Sequence, residues 1–545
     1  MKAAQIRIVL LSGPVGAGKS ALAQQLVDRY GATILKTRAL IAKIRPDVAA
    51  TRTALQRAGE ALDKIDHGAW LATSLAQFVE ERPRGQAVQH IFVVDSVRIL
   101  GQIEAVRKGF SPEVVHHIHL TAAGSELAKR FASRKSSFSE PASYEALRES
   151  KTERDIEKLV DVADVVVQTD RCTPGAVCVR ATALLGLYSR SVEGLVDVLV
   201  GGQYGSEGKG NIVAHIAPEY QLLVRVGGPN AGHKVFNDPV EVYHHLPSGS
   251  NRASNAQLLL GAGAVINVEK LQAELSVHKI GSDRLSIDEN AMIIDEADIE
   301  TEKRLLAGIS STMQGVGAAT ARKALNRIPD EFLPEGFPRT RLAKDIPALR
   351  PFIREAQKIL EVAYVRGDHI LLEGTQGTTL SLHHGPYPYV TSRETTVAGC
   401  LADSGIAPTR VRKVVMVCRT FPIRVGGTSG YIEHEITYEE LAERSGIPLS
   451  KLKETEITTT TKKQRRLGEF DWEQLRRSSL LNGPTDIALT FVDYINAANA
   501  EAYRFEQLSM PTLQFIEEIE RVSGTPVSLI STSFKWRNVI DRRVW

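Results

Sequence analysis

Short apolar runs that lead into glycine-rich turns, followed by segments with helical spacing, recur along the chain. Two of these runs, Ile6 to Leu11 and Val196 to Val200, are rich in β-branched residues and are the clearest buried strands. Each leads directly into a loop dense in glycine and then into a helical segment. Strands and helices that alternate in this order pack as parallel sheets covered by helices. The pattern therefore predicts an α/β protein.

The first third of the chain shows this alternation most fully. A helix is predicted to end at Gly31, and the amphipathic stretch 51–79 is predicted to be helical, with Arg57, Glu60 and Asp63 on one face. That face either lines an acceptor pocket or is simply solvated. Three more apolar runs predict strands, and they lie in the ranges 87–98, 114–120 and 163–170.

The loop after the first strand, GPVGAGKS, spans Gly13 to Ser20 and fits the pattern G-x-x-x-x-G-K-[ST]. In its strand–loop–helix context this pattern indicates a phosphate-binding loop. The glycines Gly13, Gly16 and Gly18 let backbone N–H groups face the phosphates. Lys19 is expected to reach the β- and γ-phosphates, and the Ser20 hydroxyl is expected to bind Mg²⁺. The alternative is a relic loop that no longer binds a nucleotide.

Charged residues beyond this loop fit a phosphotransferase. Asp95 follows a buried strand, opposite Lys19, and suits a Mg²⁺ or water position. Arg130 and Arg134 are one helical turn apart, an arrangement that resembles the arginine lid of nucleoside-monophosphate kinases and of dephospho-CoA kinase. Residues 1–188 therefore resemble a small P-loop kinase, and its acceptor stays open.

Three neighbouring histidines, His116, His117 and His119, invite interpretation as a metal site. Strand alternation points only His117 and His119 to the same side of the sheet. Structural histidines in the core or at its rim are therefore expected.

The second glycine-rich loop, GGQYGSEGKGN, follows the second of the two clearest strands and contains Gly205, Gly208 and Gly210. Glycines at this density let backbone N–H groups approach a phosphate without a Cβ clash. Lys209 adds a positive charge. A helix is predicted from about Asn211, and its N-terminus would face the same anion.

A further predicted strand, Leu222 to Val226, ends in the loop GGPNAGH. This loop places Asn230 and His233 where a phosphoryl group could be met. Together the two loops resemble the signature of the adenylosuccinate synthetase family, a loop of type Q-W-G-D-E-G-K-G-K followed by G-G-x-N-A-G-H.

Two later stretches, 373–399 and 458–472, agree with the same family in content and order. The resemblance covers the chain from Gly194 onward. It implies a mixed, mostly parallel sheet and a two-step ligase reaction. A γ-phosphoryl group goes to O6 of a 6-oxopurine nucleotide, and the amine of aspartate then displaces that phosphate at C6.

The resemblance also implies roles for residues that match the family's motifs. The residues implied in catalysis are Ser206, Lys209, His233 and Gln376. Those implied to bind the purine nucleotide are Asn230, Thr312, Thr391 and Arg322. Arg322 and Arg327 are both candidates for an arginine that crosses a dimer interface to this nucleotide. Those implied to bind aspartate are Thr460, Thr461, Lys463 and Arg465. Those implied to bind the donor nucleotide are Gly205, Gly208, Gly210, Asp493 and Ser531, and those at the Mg²⁺ position are Ser206 and Gly232.

One departure from the family pattern lies at the chemical centre. The family's catalytic aspartate in the first loop is Ser206 here, and this change resembles the branch that makes 2-aminoadenylosuccinate from dGMP. A serine hydroxyl is not basic near pH 7. Ser206 therefore either disables the site or leaves room beside C2 for the amino group of guanine. The second explanation is preferred because Glu207, Lys209, Asn230 and His233 all remain.

Other departures concern the remaining ligands. Phe491 stands where the family carries a lysine that packs on guanine, and the segment 531–538 replaces the family's guanine-contacting turn, so ATP is favoured over GTP. Lys463 replaces an arginine, which keeps the charge but loses the bidentate fork. Met313 and Gln314 replace a Gly-Arg pair, so the contacts around Thr312 differ.

Composition narrows the class of protein. The 545 residues carry a net charge of +3 and 24% charged residues, which is ordinary for a globular chain and too little to argue for a nucleic-acid surface. The four cysteines form no C-x-x-C pair, so neither a disulfide framework nor a zinc site is expected. No signal or membrane-spanning segment is visible, and a cytoplasmic enzyme is expected.

The expected architecture is therefore two α/β modules, a P-loop kinase-like domain at 1–188 and a synthetase-like domain at 195–545, joined by a linker at 189–194. The leading function is synthesis of 2-amino-2′-deoxyadenylosuccinate from dGMP, L-aspartate and ATP with Mg²⁺, by a homodimer. The alternatives are GTP-dependent adenylosuccinate synthesis from IMP and a nucleotide sensor without turnover. The N-terminal module is expected to be a (deoxy)nucleotide kinase or an NTPase.

Overall fold

The chain divides into two compact units, Met1–Arg190 and Ser191–Trp545. The computed structural model describes the residues 6–49, 51–81, 90–111, 113–133, 143–149, 151–170, 172–185, 194–309, 311–336, 338–457, 464–535 and 537–544.

The first unit is built on a five-stranded sheet. Its strands are β1 (Ile6–Ser12), β2 (Thr33–Leu35), β3 (His90–Val94), β4 (Val115–Thr121) and β5 (Val165–Gln168). They lie in the order β2-β3-β1-β4-β5, and every neighbouring pair is parallel. β1 is central and covered on both faces, which explains its continuous apolar run. The predicted parallel sheet is confirmed, and the phosphate-binding loop leaves it at the carboxyl end of β1.

Helices connect these strands. They are α1 (Lys19–Tyr30), α2 (Thr37–Ile44), α3 (Arg52–Asp66), α4 (Ala69–Glu80), α5 (Leu100–Gly109), α6 (Gly124–Ala132), α7 (Tyr144–Arg148), α8 (Lys151–Glu157) and α9 (Pro174–Thr182). The stretch 51–79, expected to be helical, is broken into α3 and α4 by His67 and Gly68, which have φ of 55° and 88°. A Cβ at Gly68 would lie 2.7 Å from the backbone nitrogen of Gln102, so only glycine fits this close approach.

Two of the three histidines of β4, His117 and His119, have a structural role in the core, as expected. His117 and His119 point to the same side, and both hydrogen-bond the hydroxyl of Ser12, at 2.6 Å and 2.8 Å. The side chains of Ser12, His117 and His119 are buried, and that of His116 is partly exposed. Burial lowers the pKa of both histidines, so they stay neutral and extend the core beneath the phosphate-binding loop.

The second unit is built on a ten-stranded sheet. Its strands are β6 (Val196–Gly201), β7 (Leu222–Arg225), β10 (Gln257–Leu260), β12 (Leu285–Asp288), β14 (Ile353–Arg354), β15 (Ile370–Glu373), β16 (Val411–Arg419), β20 (Asp486–Thr490), β21 (Val527–Ser531) and β22 (Val539–Asp541). The order is β14-β12-β10-β7-β15-β6-β16-β20-β21-β22. Only the edge strand β22 pairs antiparallel, so the predicted mixed, mostly parallel sheet is confirmed.

Smaller sheets and helices complete this unit. The remaining strands are β8 (His233–Val235), β9 (Glu241–Tyr243), β11 (Val265–Ile266), β13 (Met292–Ile293), β17 (Ile423–Val425), β18 (Glu435–Ile436) and β19 (Arg465–Gly468). The helices are α10 (Lys209–Ile216), α11 (Val268–His278), α12 (Glu296–Leu305), α13 (Val316–Leu325), α14 (Ala356–Arg366), α15 (Val397–Ser404), α16 (Tyr438–Ser445), α17 (Leu449–Thr455), α18 (Trp472–Asn482) and α19 (Met510–Ser523).

The central strands of this sheet bury both faces. Leu199, Leu223 and Leu371 face one hydrophobic cluster, and Val198 and Leu372 face the other. This two-sided burial explains why the strands read as unbroken apolar runs. Because β7, β15 and β6 are neighbours and parallel, the loops that follow them meet at one edge of the sheet. Of the helices that the structure describes, none has the length and apolarity needed to cross a membrane.

Candidate active site

Three loops meet beyond the carboxyl ends of β6, β15 and β7. Gly205 of the first loop has φ of 99°, and a Cβ there would lie 3.0 Å from the Cα atom of Gln376 in the second. Gly210, at the start of α10, lies against β8, the strand that follows the third loop, because its Cβ would come within 2.7 Å of the carbonyl oxygen of Lys234. Glycine at these positions therefore lets the three loops touch.

The loop after β6 is held in shape by an internal ion pair. Lys209 Nζ lies 2.7 Å from Glu207 Oε2, and both side chains are buried. The other carboxylate oxygen of Glu207 accepts hydrogen bonds from the backbone N–H groups of Gln203 and Gly205, at 3.0 Å and 2.7 Å. Two of the amides in this glycine-rich loop are thus bonded within the loop. The sequence had suggested that the N–H groups of the whole loop would bind a phosphate. These two are not free to do so.

Ser206 lies at the partly exposed turn of this loop. Its carbonyl oxygen accepts a hydrogen bond of 3.2 Å from Arg419, whose guanidinium is paired with Glu456 at 2.6 Å. Within the described part of the chain, no hydrogen bond involves the Ser206 hydroxyl. Arg419 therefore holds the backbone of Ser206 in place, and the hydroxyl of Ser206 is available to a ligand.

His233, on β8, has one ring nitrogen bonded and the other unbonded. Nδ1 lies 2.5 Å from Glu373 Oε1, whereas Nε2 is buried and has no partner among the described residues. Burial, together with the charge of Arg225, lowers the pKa of His233 to about 4. The neutral ring carries one proton, and an ionised carboxylate can only accept. The proton is therefore on Nδ1, and Nε2 presents a lone pair.

Glu373 is ionised because several donors converge on it. Its oxygens accept from the backbone N–H and the hydroxyl of Ser248, at 2.7 Å and 2.5 Å, and Arg225 Nη1 lies at 3.3 Å. Burial alone would raise the pKa of Glu373, but the charge of Arg225 and the hydrogen bonds from His233 and Ser248 lower it to about 2. The carboxylate is therefore fixed in position and in charge.

Asn230, Gln376 and Thr391, which the sequence placed in separate motifs, lie together. Gln376 Nε2 donates to Thr391 Oγ1 at 2.5 Å, and Asn230 Nδ2 donates to the same oxygen at 3.5 Å. The carbonyl oxygens of both amides are buried and unpartnered among the described residues. A buried acceptor without a donor costs about 1–3 kcal/mol, so these oxygens mark where a ligand's donors would bind.

Aromatic side chains cover the part of the β6 loop that contains Gly208, which the sequence predicts to bind the donor nucleotide. The ring of Phe491 lies 3.3 Å from where a Cβ on Gly208 would be and 3.9 Å above the Arg419 guanidinium. It also contacts Phe534, with ring centroids 5.1 Å apart. Beside it, Asp493 is buried with Oδ1 unpartnered among the described residues, and burial raises the pKa of Asp493 to about 7.

Ser531 ends β21 and is buried. Its hydroxyl donates to the carbonyl oxygen of Ser533 at 3.0 Å, so in this structure it braces the turn that follows it. A role in contacting a donor base would require this hydroxyl to exchange one partner for another.

Arg322 does not fit the role of crossing to a partner chain. It is buried and pairs with Asp298 at 2.6 Å and with Asp295 at 2.9 Å within its own chain. The expectation for Arg322 is corrected on this ground, because leaving would strand two acidic groups in the interior. Arg327, the other candidate, is exposed.

Thr312 is half-buried in the loop before α13. Its carbonyl oxygen accepts from the Gln314 side chain at 2.9 Å. The backbone N–H groups of Gly315 and Gly317 donate to the Glu302 carboxylate, at 2.7 Å and 2.6 Å. The start of α13 is thus already capped by an acidic side chain, which leaves Thr312 as the predicted phosphate contact of this loop.

Of the predicted aspartate-binding residues, Thr460, Thr461 and Lys463 lie outside the described residues. Arg465 lies on β19, and its Nη1 is 3.1 Å from Glu456 Oε2. This ion pair ties it to the same carboxylate that holds Arg419. An incoming carboxylate would therefore meet an arginine that already has one acidic partner.

In the first unit, the lysine of the phosphate-binding loop is hydrogen-bonded to carbonyl oxygens of the same loop. Lys19 Nζ donates to the carbonyl oxygens of Gly13, at 2.5 Å, and of Pro14, at 3.0 Å. Gly16 and Gly18 have left-handed φ of 88° and 98°, and Ser20 is exposed at the start of α1. A Cβ at Gly13 would overlap the Leu120 carbonyl oxygen at 2.0 Å, which explains the need for glycine there.

The other predicted kinase residues are placed around this loop. Arg130 donates to the carbonyl oxygen of Gly16 at 3.3 Å and to the Thr169 hydroxyl at 3.0 Å, and Arg134 lies outside the described residues. Asp95 Oδ1 accepts from both the N–H and the hydroxyl of Thr37, at 3.0 Å each.

On the predicted face of α3, Arg57 and Glu60 are exposed, whereas Asp63 is half-buried and has a structural role. Asp63 accepts from Trp70 Nε1 at 2.7 Å and from the Gln102 side chain at 3.0 Å. It therefore joins α3 to α4 and α5.

The predicted Mg²⁺ residues offer few oxygen donors. No three His, Cys, Asp or Glu side chains are grouped closely enough to hold a metal in the part of the chain that is described. Ser206 and Gly232 supply a hydroxyl and a carbonyl oxygen, while Glu207 is committed to Lys209. Mg²⁺ commonly takes one or two protein oxygens and completes its shell with phosphate oxygens and water. Ser206 and Gly232 therefore stay predictions for a Mg²⁺ that arrives bound to a nucleoside triphosphate.

Sequence reasoning missed the residues that hold His233. Glu373 and Arg225 each end an apolar strand, ILLE and LLVR, and Ser248 lies in the loop after β9. Charged residues are seldom buried without a partner. A charge at the end of each of two buried runs was therefore a usable signal, although the pairing itself depends on the strand order.

Known proteins resemble the second unit along its length. A family model described as adenylosuccinate synthetase matches residues 198–328 and 339–500. The adenylosuccinate synthetase of Archaeoglobus fulgidus is 37% identical over 353 residues, which make up 64% of this chain and 98% of that protein. The enzyme of the same name from Pyrococcus horikoshii is 36% identical, over 64% of this chain and 98% of that protein.

Two solved structures share the fold. The adenylosuccinate synthetase of Plasmodium falciparum superimposes with a TM-score of 0.55 at 23% identity, covering 64% of this chain and 100% of that one. The succinoaminodeoxyadenylate synthetase of cyanophage S-2L, bound to dGMP and to dATP as an energy donor, gives a TM-score of 0.53 at 26% identity. That match covers 65% of this chain and 96% of the cyanophage protein.

Proposed function

The chain belongs to the adenylosuccinate synthetase family and is a ligase of that type, and on this premise we propose that it joins L-aspartate to C6 of dGMP with ATP as the phosphoryl donor. The product would be 2-amino-2′-deoxyadenylosuccinate, with ADP and phosphate released. The observation that carries the proposal is Ser206, a small uncharged residue in a site whose other polar groups are assembled. Those groups are the buried acceptors of Asn230, His233 and Gln376, which have no partner among the residues that the structure describes.

The reaction would proceed in two balanced steps. In the first, an O6–phosphorus bond forms, the bond from the γ-phosphorus to its bridging oxygen breaks, and the N1 proton leaves to water. In the second, the amine of aspartate attacks C6, the C6–O6 bond breaks and phosphate leaves with one proton from the amine. Bound Mg²⁺ would supply positive charge to the phosphoryl group. Lys209 and the N-terminus of α10 supply more, from within the protein.

The preference for dGMP follows from what Ser206 lacks. A carboxylate there would have to share the N1 edge of guanine with the 2-amino group, a second donor one bond away. A serine leaves that volume open, and its free hydroxyl is able to accept a hydrogen bond. The structural relative from cyanophage S-2L has dGMP bound, which supports the same substrate for this chain.

The preference for ATP follows from the donor side. Phe491 offers an aromatic face and no ammonium group, and Asp493 has a pKa raised to about 7 by burial. A neutral carboxyl has one donor and one acceptor, which complement N1 and the 6-amino group of adenine. The S-2L relative carries dATP as its energy donor, which agrees with an adenine nucleotide.

The remaining ligands are assigned by resemblance to the family. Thr312 and Thr391 would meet the 5′-phosphate of the purine nucleotide, and the segment around Arg465, with Thr460, Thr461 and Lys463, would hold aspartate. A homodimer would place an arginine of one chain at the phosphate bound by the other. Arg327 is proposed for this contact because Arg322 is held inside its own chain.

For the first unit we propose a (deoxy)nucleotide kinase or an NTPase. The support is the phosphate-binding loop at the carboxyl end of the central strand of a parallel sheet, with Arg130 bonded to the loop and Asp95 at the end of the neighbouring strand. Its activity would be separate from ligation because each unit carries its own phosphate loop.

A second candidate is GTP-dependent synthesis of adenylosuccinate from IMP. It is favoured by the relatives named above, which are adenylosuccinate synthetases at 36–37% identity. A nucleotide sensor without turnover is the third candidate, and it would bind these ligands without releasing phosphate.

One experiment separates the three. The full chain is incubated with L-aspartate, Mg²⁺, ATP or GTP, and each of IMP, dIMP, GMP and dGMP, and the products are identified by mass spectrometry. The proposal expects the aspartate adduct of dGMP with ATP in largest yield. A larger yield from IMP supports the second candidate, and tight binding with no phosphate release from any nucleotide supports the third.

A further inference from the structure

A cavity of about 240 Å³ lies beside the phosphate-binding loop of the first unit, and we call it the β4 cavity. It is bounded by Pro14 of that loop, by the carboxyl end of β4, and by residues of α6, α7 and α8. Because β4 is parallel to the central strand β1 and next to it, the cavity and the loop lie at the same edge of the sheet. Its polar and aromatic lining residues are His119, Thr121, Tyr144, Arg148 and Glu157.

Two contacts place the β4 cavity next to the groups that would hold a terminal phosphate. The carboxylate of Glu153, on α8, lies 3.4 Å from the backbone nitrogen of Val15 in the phosphate-binding loop. Burial, His117 and the Lys19 ammonium together lower the pKa of His119 to about 4, so Lys19 is close to the cavity wall. In a phosphotransferase the acceptor must lie against the terminal phosphate. The β4 cavity is therefore in the position of an acceptor site.

The carboxylates on the other elements near the loop are already used by the protein. Asp63, on the face of α3 first considered for an acceptor pocket, accepts hydrogen bonds from Trp70 and Gln102. Asp95, which follows β3, accepts two hydrogen bonds from Thr37. Glu153 is in contrast hydrogen-bonded to the phosphate-binding loop itself. This difference favours the β4 cavity over α3 as the place where an acceptor binds.

The charges of the β4 cavity do not suit a phosphate monoester. Arg148 is the one cation among the described residues that line it, and its Nε atom lies 2.9 Å from Glu157 Oε1. His119 is neutral near pH 7, since its pKa is about 4. Glu153 adds a second carboxylate beside the loop. A dianionic monophosphate would therefore meet a paired arginine and two acidic groups, and like charges at short range repel.

The remainder of the lining suits the face of a base. The side chains of Leu127 and Tyr144 are buried, and Ala122 and Val160 complete an apolar wall. An aromatic ring and aliphatic groups pack well on a flat heterocycle. The volume lies just below the range of about 300–1,000 Å³ that drug-sized ligands occupy, which limits the ligand to about the size of a nucleoside.

We propose that the β4 cavity is the acceptor subsite of the first unit, and that it takes an uncharged nucleoside in place of a nucleoside monophosphate. This inference rests on the kinase function proposed for the first unit and deepens it, because it names the class of acceptor. A hydroxyl oxygen of the nucleoside bonds to the γ-phosphorus of a nucleoside triphosphate, and the bond from that phosphorus to its bridging oxygen breaks. The hydroxyl proton passes to the Glu153 carboxylate, and the products are a nucleoside monophosphate and a nucleoside diphosphate.

A reaction of this class would supply the second unit. The substrate proposed for ligation is dGMP, which forms when one phosphoryl group is transferred to the 5′-hydroxyl of deoxyguanosine. Deoxyguanosine is therefore the member of the class that we expect as acceptor. The two units of the chain would then catalyse consecutive steps.

The test uses the full chain with Mg²⁺, ATP and either deoxyguanosine or dGMP. L-aspartate is left out so that ligation does not consume the product, and the products are separated by chromatography and identified by mass spectrometry. We expect dGMP to form from deoxyguanosine at least about tenfold faster than dGDP forms from dGMP. Lys19→Ala should abolish both reactions of the first unit. A phosphorylated form of dGMP that persists in Lys19→Ala belongs to the second unit and is subtracted.

One variant fills the cavity from its rim. Gly124, the first residue of α6, lines the cavity, and a Cβ there would meet no atom within 4 Å, so a larger side chain enters open space. Gly124→Phe should raise the KM for deoxyguanosine by about tenfold or more, because crowding of this kind costs about 1–3 kcal/mol. The matched control is Ser125→Phe, an exposed neighbour on the same helix that does not line the cavity, and it should leave this KM unchanged.

A second variant tests the proton acceptor. Glu153→Gln should lower kcat for deoxyguanosine by about 10²–10⁴-fold, as expected for loss of a general base, with a smaller change in KM. Glu149→Gln, at an exposed position near the start of α8, is the control. A merely structural role of Glu153 would instead lower the amount of folded protein and leave kcat per folded molecule unchanged.

Three results would overturn the proposal. The first is phosphorylation of dGMP and not of deoxyguanosine. The second is hydrolysis of ATP by the first unit with no transfer to either compound, which would leave the NTPase function in place. The third is an unchanged KM in Gly124→Phe together with an unchanged kcat in Glu153→Gln. If Lys19→Ala alters neither transfer nor hydrolysis, the phosphotransferase function itself fails, which is a separate result from a wrong acceptor.

Discussion

Arg225 and Glu373 lie opposite each other in register on the neighbouring strands β7 and β15, and their side chains pair at 3.3 Å in the interior. Each is the last residue of an otherwise apolar strand. The pair is possible because the strands are adjacent in the sheet, although 148 residues separate them in sequence. It holds one end of the polar cluster that supports His233, so the sheet itself fixes the position of the candidate site.

Arg322 supports a different part of the second unit, and its substitution tests whether it is structural. Arg322→Ala should lower the free energy of unfolding of this unit by about 3–5 kcal/mol, because Asp298 and Asp295 would be left without their buried partner. Arg327→Ala, at an exposed position, should change it by less than about 0.5 kcal/mol and raise the KM for the purine nucleotide. Chemical denaturation and steady-state kinetics measure the two effects. A higher KM in Arg322→Ala, with little change in the free energy of unfolding, would show that Arg322 binds the nucleotide instead.

The two phosphate loops should work independently. Lys19→Ala should remove nucleotide hydrolysis or phosphoryl transfer by the first unit, because Lys19 is the cation of its phosphate-binding loop. Aspartate ligation should stay largely intact. The control is Lys108→Ala, at the exposed end of α5. Both activities are followed in the same preparation, and loss of both in Lys19→Ala would mean one shared active site.

Substitution of His233 should affect the rate of ligation more than the affinity for the nucleotide. His233→Ala is expected to lower the rate of ligation by about 10²–10⁴-fold with little change in overall nucleotide affinity, since the 5′-phosphate contacts remain. His434→Ala, an exposed histidine of the same unit, serves as the control. Turnover that is unchanged in His233→Ala would remove this residue from the chemistry.

The donor preference should depend on pH through Asp493. The pKa of Asp493 is raised to about 7, so the carboxyl is neutral below that pH and ionised above it. The neutral form matches adenine, whereas the carboxylate, which only accepts, matches the two donors of guanine. ATP should be used at least as well as GTP. The kcat/KM for ATP divided by that for GTP should decrease as the pH is raised from 6 to 8. Asp493→Asn should abolish this pH dependence, and a strong GTP preference at pH 6 would contradict the assignment.

Much of the fold could be predicted from the chain alone. The strands β1, β6 and β7 were located to within a residue or two because central parallel strands are apolar on both faces, and their glycine loops mark their ends. The break at Gly68 was not predicted, since it arises from the close approach of Gln102, a contact distant in sequence.

The site was predicted only in part. Motif matches identified Asn230, Gln376 and Thr391, but not that one hydroxyl joins the three. Glu302, which caps α13, and Glu456, which pairs with both Arg419 and Arg465, were missed. Their partners are set by tertiary packing, and neither lies in a recognisable local pattern.

Ser206 should set the preference for guanine over hypoxanthine. A merely roomier pocket gives a selectivity of about 1–3 kcal/mol, and a buried hydroxyl that must be paired adds to it. We expect dGMP to exceed dIMP by at least about tenfold in kcat/KM, a difference of about 1.4 kcal/mol. Ser206→Asp should reduce this ratio and shift it toward hypoxanthine, whereas Ser254→Asp, on an exposed turn, should not.

The most direct measurement is a competition. Equimolar dGMP and dIMP are mixed with the full chain, L-aspartate, Mg²⁺ and ATP, and the two aspartate adducts are quantified by mass spectrometry at early times. We expect the adduct of dGMP to predominate by about tenfold or more, and this excess to shrink in Ser206→Asp. A wild type that forms the adduct of dIMP faster than that of dGMP would contradict it.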